Sequence, residues 1–264
     1  MASRDMSHWE TKISAVHGGD KDEITVRGHN LADLIGRIDF GEMTYLVLSG
    51  RLPSKGQAAV LNALMVAAVE HGISPPSMVS RCFASYGTSI QAAIGGGVLS
   101  FGEKMGGAGE ELAKLMIQSL SARGAPADPS DEEIAVEAHR LVESFRQSRR
   151  RLPGFGIPLH RRDPRSPVLM EIARREGVFG TYCRFVTRVE QALEKSTGKP
   201  IPLNLDGAGA ALVLDLGLSW KLTRMFIITP RTVSMAAHYI EETQQDTQWR
   251  HVREDQVEYE TPLS

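Results

Sequence analysis

From Asn30 onward the apolar residues of this chain recur at helical spacing, and helix-start and helix-stop residues separate the runs. That pattern confines the fold to packed helices. Asn30 is placed to cap a short helix ending at Gly36, and Phe40 to Leu48 forms another before Gly50. Ser54 and Gln57 make a capping box ahead of Val60, Leu61, Leu64, Met65, Ala68 and Val69, which share one face. His71-Gly72 ends that helix and Pro75-Pro76 opens the next. A second box, Ser130 with Glu133, precedes Ile134, Ala138, Leu141, Val142 and Phe145. Ser166-Pro167 reads as an N-cap with proline at the first helical position. Phe179, Cys183, Val186, Val189 and Leu193 line a further helix, closed by Gly198 and Pro200. Leu203 to Gly207 reads as a tight polar turn before Ala208 to Leu216, and Ser219 and Thr229-Pro230 open the last two helices. The one strand signal is a hairpin, Thr11 to Val16 and Glu23 to Arg27, flanking a turn-rich segment that starts at His17. The expected fold class is all-α with a small N-terminal β-hairpin.

Two stretches stand out chemically. Ser89 to Met105 holds Ala92, Ala93, Gly95, Gly96, Gly97 and Gly102, followed by Gly106, Gly107 and Gly109. Adjacent glycines cost a helix roughly 1 kcal/mol each relative to alanine. Either a close helix partner or a ligand against the backbone must offset that. Arg149 to Arg165, RRRLPGFGIPLHRRDPR, sets its arginines around a Pro-Gly-Phe-Gly turn, with Asp163 as the only acid. Arginine forks suit phosphates and carboxylates, and glycine lets a backbone approach a ligand. The segment reads as a polyanion site or, more plainly, as a solvated basic loop.

Composition narrows the partners. At 264 residues the chain can bury the core of one large domain or two lobes. A formal net charge of -2 argues against a general nucleic-acid binder, because the basic cluster is local and acids gather near the C-terminus. Cys82 and Cys183 form no disulfide framework and no metal spacing, and no His/Cys/Asp/Glu cluster has ligand spacing, so no metal is expected. The N-terminus lacks an apolar leader, and the most apolar window, Ala58 to Val69, is too short to span a bilayer. The expectation is a soluble cytoplasmic protein without a membrane partner.

Four segments then carry a resemblance: AAIGGGVLSFGEKMGGAGEE (92 to 111), PGFGIPLHRRDPR (153 to 165), PLNLDGAGAAL (202 to 212) and Arg231 to His238. Their order and spacing resemble the citrate synthase superfamily, and the short N-terminus and Asn-Leu-Asp-Gly turn look more like its citryl-CoA lyase branch. The resemblance implies a two-lobed helical fold, with a large lobe of 1–105 plus 204–264 and a small lobe of 106–203. It implies coenzyme A as part of an acyl-CoA substrate or product, a 2-oxo acid as the other small molecule, and a homodimer or dimer-based oligomer. By position, Asp206 matches the carboxylate that moves a proton at the acetyl methyl. Arg165 and Arg231 match carboxylate-binding arginines, and His71 a substrate-contacting histidine. Pro153, Gly154, Phe155 and Gly156 match the adenine-holding loop, and Arg161 a phosphate-binding residue.

Two positions depart from the family. Met105 stands where the enolate-stabilising histidine precedes Gly-Gly-Ala, and Ile157 where the second catalytic histidine follows Gly-Phe-Gly. Losing one oxyanion donor typically costs 10²–10³ in rate. His160, three residues on, is either a substitute proton carrier or an exposed loop histidine. Asp206 reads without the family as a turn-capping aspartate, and His71 as a helix C-terminal histidine. Arg231 is expected in a first helical turn, where positive charge is mildly disfavoured. The resemblance implies a lyase cleaving citryl-CoA, or a related 3-hydroxy-3-carboxy acyl-CoA, to acetyl-CoA and oxaloacetate. The alternatives are condensation with another 2-oxo acid and a non-catalytic acyl-CoA-binding homologue.

Overall fold

The computed structural model describes residues 9–19, 22–121, 129–156, 161–245 and 248–260. It opens with a three-stranded antiparallel sheet, β1 (Ser14–His17), β2 (Glu23–Val26) and β3 (His29–Asn30), in the order β1-β2-β3. Val16 pairs with Ile24 and Val26 with His29. The expected hairpin is present, and the third strand adds two residue pairs beyond it, Thr25 with Asn30 and Val26 with His29, before Asn30 caps the next helix.

All the other named elements among the described residues are helical: α1 (Leu31–Leu34), α2 (Phe40–Ser49), α3 (Lys55–Ala68), α4 (Pro75–Ser85), α5 (Ile90–Leu99), α6 (Ala108–Ser121), α7 (Asp131–Gln147), α8 (Arg165–Arg175), α9 (Thr181–Thr197), α10 (Leu205–Asp215) and α11 (Met225–Gln244), with short 3₁₀ turns at Trp220–Leu222 and Glu254–Gln256. Ser54 with Gln57 and Ser130 with Glu133 form the two expected capping boxes, and Asp39 with Glu42 forms another at α2. Among the described residues, no helix is long and apolar enough to cross a membrane.

The fold centres on α10. Every residue from Gly207 to Leu214 is buried, so this helix is apolar all round, as a helix enclosed by others must be. It packs on α3, α6, α8 and α9. Tyr45, Leu61, Leu64, Leu112, Met116, Ile134, Phe185, Leu212 and Phe226 belong to the one large core around it. At its far end, the Asp215 carboxylate accepts the amides of Gly180, Tyr182 and Cys183 at 2.9–3.0 Å and so anchors the start of α9. Burial raises the Asp215 carboxyl above the usual aspartate range, against the opposing hydrogen bonds of that loop.

Four helix starts differ from the sequence expectation. α8 begins at Arg165, and the Ser166 hydroxyl is buried without a hydrogen-bond partner among the described residues; Asp163 accepts the Arg165 amide instead. α9 begins at Thr181, leaving Phe179 ahead of it. α10 begins at Leu205, with Asn204 accepting the Gly207 amide, so Asp206 sits in a first helical turn and not in a tight turn. α11 begins at Met225 and runs through Pro230, which puts Arg231 inside the helix and removes the dipole argument about it. The glycine-rich helix is also shorter than the small-residue stretch, ending at Leu99. Its offsetting partners lie in this chain. A side chain at Gly96 would meet the Phe83 ring at 3.0 Å, and one at Gly97 would meet Met235 Sδ at 2.6 Å and the Pro76 carbonyl at 2.9 Å.

Candidate functional site

The C-terminal end of α3 is where the candidate residues converge. The last carbonyls of a helix lack partners within it and carry partial negative charge. Here two arginines from distant segments supply donors. Arg231 Nε reaches the Ala68 carbonyl at 3.0 Å, and Arg165 Nη1 reaches that of Ala67 at 3.4 Å. Arg231 is 4 % exposed and its Nη1 donates to Ser74 Oγ at 3.0 Å. Among the described residues its guanidinium has no hydrogen-bonded carboxylate. Burial lowers its pKa, with the negative charge of Glu70 opposing. A buried cation without a contacting anion is a ready receptor for one. His71 follows in the same turn, half-buried, its amide donating to Glu70 Oε1 at 2.8 Å.

Asp163 ties this corner to α10. Fully buried, it takes Arg165 Nε at 2.9 Å and Nη2 at 2.8 Å, and accepts the amides of Arg165 at 3.1 Å and Leu205 at 3.0 Å. Burial alone would raise its carboxyl, but the Arg165 bonds and charge outweigh that and hold it below the usual range. One residue beyond Leu205, the Asp206 carboxyl has no hydrogen bond among the described residues. Burial pushes it up, Arg165 pulls it down, Asp163 pushes it up again and Arg231 pulls it down; the net direction is up. A carboxyl kept toward its protonated form beside two guanidinium groups is suited to giving or taking a proton next to a bound carboxylate.

The Gly-Phe-Gly loop is stitched onto the segment leading into α10. Phe155 bridges Leu203, the Gly156 amide donates to the Pro202 carbonyl at 2.7 Å, and Asn204 donates to the carbonyls of Gly154 and Gly156. Gly154 has a φ of +82°, and a side chain there would meet the Gly207 Cα at 2.9 Å. One at Gly207 would meet the Gly154 carbonyl at 2.3 Å, and one at Gly109 the Asp206 carbonyl at 2.8 Å. These glycines therefore serve chain-on-chain contact around the first turn of α10, in addition to whatever approaches the loop from outside.

Beside the loop lies a cleft of about 650 Å³ with an apolar floor of Val142, Phe145, Leu152, Leu193 and Ile201 and a rim including Arg146, Arg149, Arg150 and Arg151. Phe155 and Gly156 line it; Arg161 does not. Arg161 is exposed and lines a separate hollow of about 420 Å³ with Arg162, Glu190 and Glu194, and the two spaces share Ile201. Sequence reading named the basic stretch but not its first three arginines as cleft residues, and it missed Asp163 as the link between Arg165 and α10. The signal for that link was the two-residue spacing of Asp163 and Arg165 across a proline. Ile157 and His160 lie outside the described residues. Met105 is half-buried, and its carbonyl accepts the Gly102 amide.

Residues 54–253 match the model of the citrate synthase C-terminal domain, and the chain belongs to the citrate synthase superfamily. Within it, the chain falls in the citryl-CoA lyase-like branch. The structure of citryl-CoA lyase from Hydrogenobacter thermophilus superposes with a TM-score of 0.84 at 31% identity, covering 97% of this chain and 96% of that one. ATP citrate lyase from Methanothrix soehngenii, solved with citrate and coenzyme A, gives 0.82 at 16% identity over 99% of this chain and 43% of that one, a likeness of fold. Among curated sequences, citrate/2-methylcitrate synthase of Bacillus subtilis is 25% identical over 203 residues, 74% of this chain and 50% of that protein. The chain thus spans about half the length of the first curated relatives it matches.

Proposed function

We propose that this protein is a citryl-CoA lyase, cleaving citryl-CoA to acetyl-CoA and oxaloacetate. The carrying observation is the convergence of the Arg165 and Arg231 guanidinium groups on one helix end, beside an Asp206 carboxyl held toward its protonated form. In this reading the arginines and His71 hold the carboxylates that become those of oxaloacetate. The substrate hydroxyl gives up its proton to a base, for which the sequence offers His71 and His160. The bond to the acetyl methylene breaks, its electron pair enters the thioester enolate, and Asp206 protonates the enolate carbon. With Met105 in place of a donor, the enolate oxygen relies on backbone amides or water. Coenzyme A sits on the Pro153–Gly156 loop, its adenine over the apolar floor of the arginine-rimmed cleft and its phosphates toward that rim and Arg161. The lobes are those expected from the sequence, 1–105 with 204–264 and 106–203, with the acyl group between them.

Condensation of acetyl-CoA with a 2-oxo acid is the same step reversed, and the likeness to citrate/2-methylcitrate synthase supports that direction as the second reading. The test is direct. Citryl-CoA is supplied and released oxaloacetate is measured by reduction with a coupled dehydrogenase; cleavage is the expected result. A protein that binds acetyl-CoA but neither cleaves citryl-CoA nor exchanges the acetyl methyl protons with deuterated solvent is a binding homologue, and the enzyme reading falls. A homodimer is also proposed, and light scattering showing a monomer at micromolar concentration refutes it.

A further inference from the structure

Behind His71 and Arg231 lies a chain of polar groups that the proposed reaction does not use. Arg231, Ser234 and His238 stand at i, i+3 and i+7 on α11, and so share a face. All three turn toward the segment after α3. Ser234 Oγ hydrogen-bonds the Glu70 carboxylate, and His238 Nε2 faces the same oxygen at 3.5 Å. The other ring nitrogen, Nδ1, lies 2.9 Å from Arg81 Nη1. Arginine donates and never accepts. Nδ1 is therefore the acceptor, and the ring hydrogen sits on Nε2, toward Glu70.

The arginine that imposes this is itself fixed. Arg81, on α4, is 5 % exposed; its Nη1 also bonds Glu241, its Nη2 donates to Gln245 at 2.9 Å, and its Nε lies 2.7 Å from Glu242. Glu242 is held in turn by Arg250 at 2.7 and 2.8 Å. The charged groups facing His238 are thus Arg81 from α4, Glu70 from the turn after α3, and Glu241 from its own helix at 3.9 Å. At the near end of the chain, Glu70 uses its remaining oxygen to accept the His71 amide at 2.8 Å.

We propose that His238 is a positioning residue: locked by Arg81 with Nε2–H toward Glu70, it holds that carboxylate against Ser234 and the His71 amide. It thereby fixes the turn carrying His71 relative to Arg231, which shares its helix. Among the described residues, Glu70, Arg81, Ser234 and His238 make no hydrogen bond to the Gly-Phe-Gly loop, so the effect is confined to the carboxylate end of the substrate. The inference rests on the reading of His71 and Arg231 as carboxylate-binding groups.

The experiment has two arms. In the first, His238→Leu and His238→Gln are compared with the unaltered protein for KM toward oxaloacetate, kcat and acetyl-CoA affinity in the condensing direction. Leucine should raise KM for oxaloacetate about tenfold, the factor of one lost hydrogen bond to a charged group. Acetyl-CoA affinity should stay unchanged. Glutamine, whose amide N–H can replace Nε2–H, should recover most of the loss. A leucine variant with unaltered KM, or one weakened equally toward both substrates, overturns the proposal. The second arm is run on the unaltered protein: the ¹⁵N resonances of the His238 ring, assigned by their loss in His238→Gln, should show a bare Nδ1 and a protonated Nε2. A protonated Nδ1 overturns the relay whatever the reaction. If the protein proves inert toward citryl-CoA and oxaloacetate alike, the functional reading fails, and the tautomer still decides whether the relay exists.

Discussion

Replacing Asp163 by asparagine should separate the two jobs that carboxylate performs. Asp163 is fully buried and receives four hydrogen bonds, two of them from the Arg165 side chain. Asparagine keeps one acceptor oxygen and turns an amide N–H toward donors that need an acceptor. Removing one member of a buried ion pair typically costs 3–5 kcal/mol, because the other charge is left uncompensated. Arg165 is the more accessible partner, its side chain 18% exposed, and can turn partly to water, which places the expectation at the low end, about 3 kcal/mol. The assay is urea unfolding at pH 7, repeated with Asp163→Asn/Arg165→Met, in which both charges are gone. The double variant should be less destabilised than the single one. The pH dependence has a definite sign. The folded-state carboxyl is held below its usual range, so its stabilisation is complete above the unfolded value, near pH 4, and is lost only as pH falls through the folded one. A single variant within about 0.5 kcal/mol of the unaltered protein at pH 7, the ordinary range of surface substitutions, would refute the reasoning.

Asp206→Asn should lower citryl-CoA turnover by about 10²–10⁴ while acetyl-CoA still binds by calorimetry. Because burial raises the Asp206 carboxyl, its ionised form costs stability as pH rises through the folded-state value; the asparagine variant should therefore unfold at higher urea at pH 7, an advantage that disappears below about pH 4. Arg161→Ala should weaken CoA binding by about 1–3 kcal/mol, and an unchanged calorimetric affinity would remove Arg161 from the phosphate site. Gly97→Ala should cost about 1–3 kcal/mol of stability in a thermal melt, since the new methyl meets the Pro76 carbonyl at 2.9 Å and the rigid helix backbone cannot step aside.

The parts of this molecule that could be read from sequence were those in which the decisive interaction is local. Asn30, Ser54 and Ser130 cap their helices because cap donors and acceptors lie within a few residues. Two helix starts were misread where a second local signal outweighed the expected one. Ser166 looked like a cap, but Asp163 already accepts the Arg165 amide, and the helix starts a residue earlier. Pro230 looked like a helix start, yet its missing N–H removes one bond to a carbonyl in the first turn of α11, which the helix tolerates. Within the candidate site, the family pattern marked Arg165, Asp206 and Arg231, which charge and burial couple to one another, and Arg165 and Arg231 meet at one helix end. It gave no role to Asp163, Glu70 or His238, whose meaning comes from contacts across 42 and 164 positions of sequence and from α11 facing the turn after α3.

The meeting of Arg165 and Arg231 at the end of α3 also bears on the entropy of ligand capture. A free arginine side chain carries about 2 kcal/mol of rotamer entropy, which an anion must ordinarily freeze out as it binds. Here each guanidinium is already oriented by a carbonyl of the same helix, Ala67 for one and Ala68 for the other. Its conformational freedom was surrendered when the chain folded. A dicarboxylate arriving at this corner would meet cations that are still and spaced in advance, so the favourable enthalpy of the charged contacts should survive largely intact as affinity.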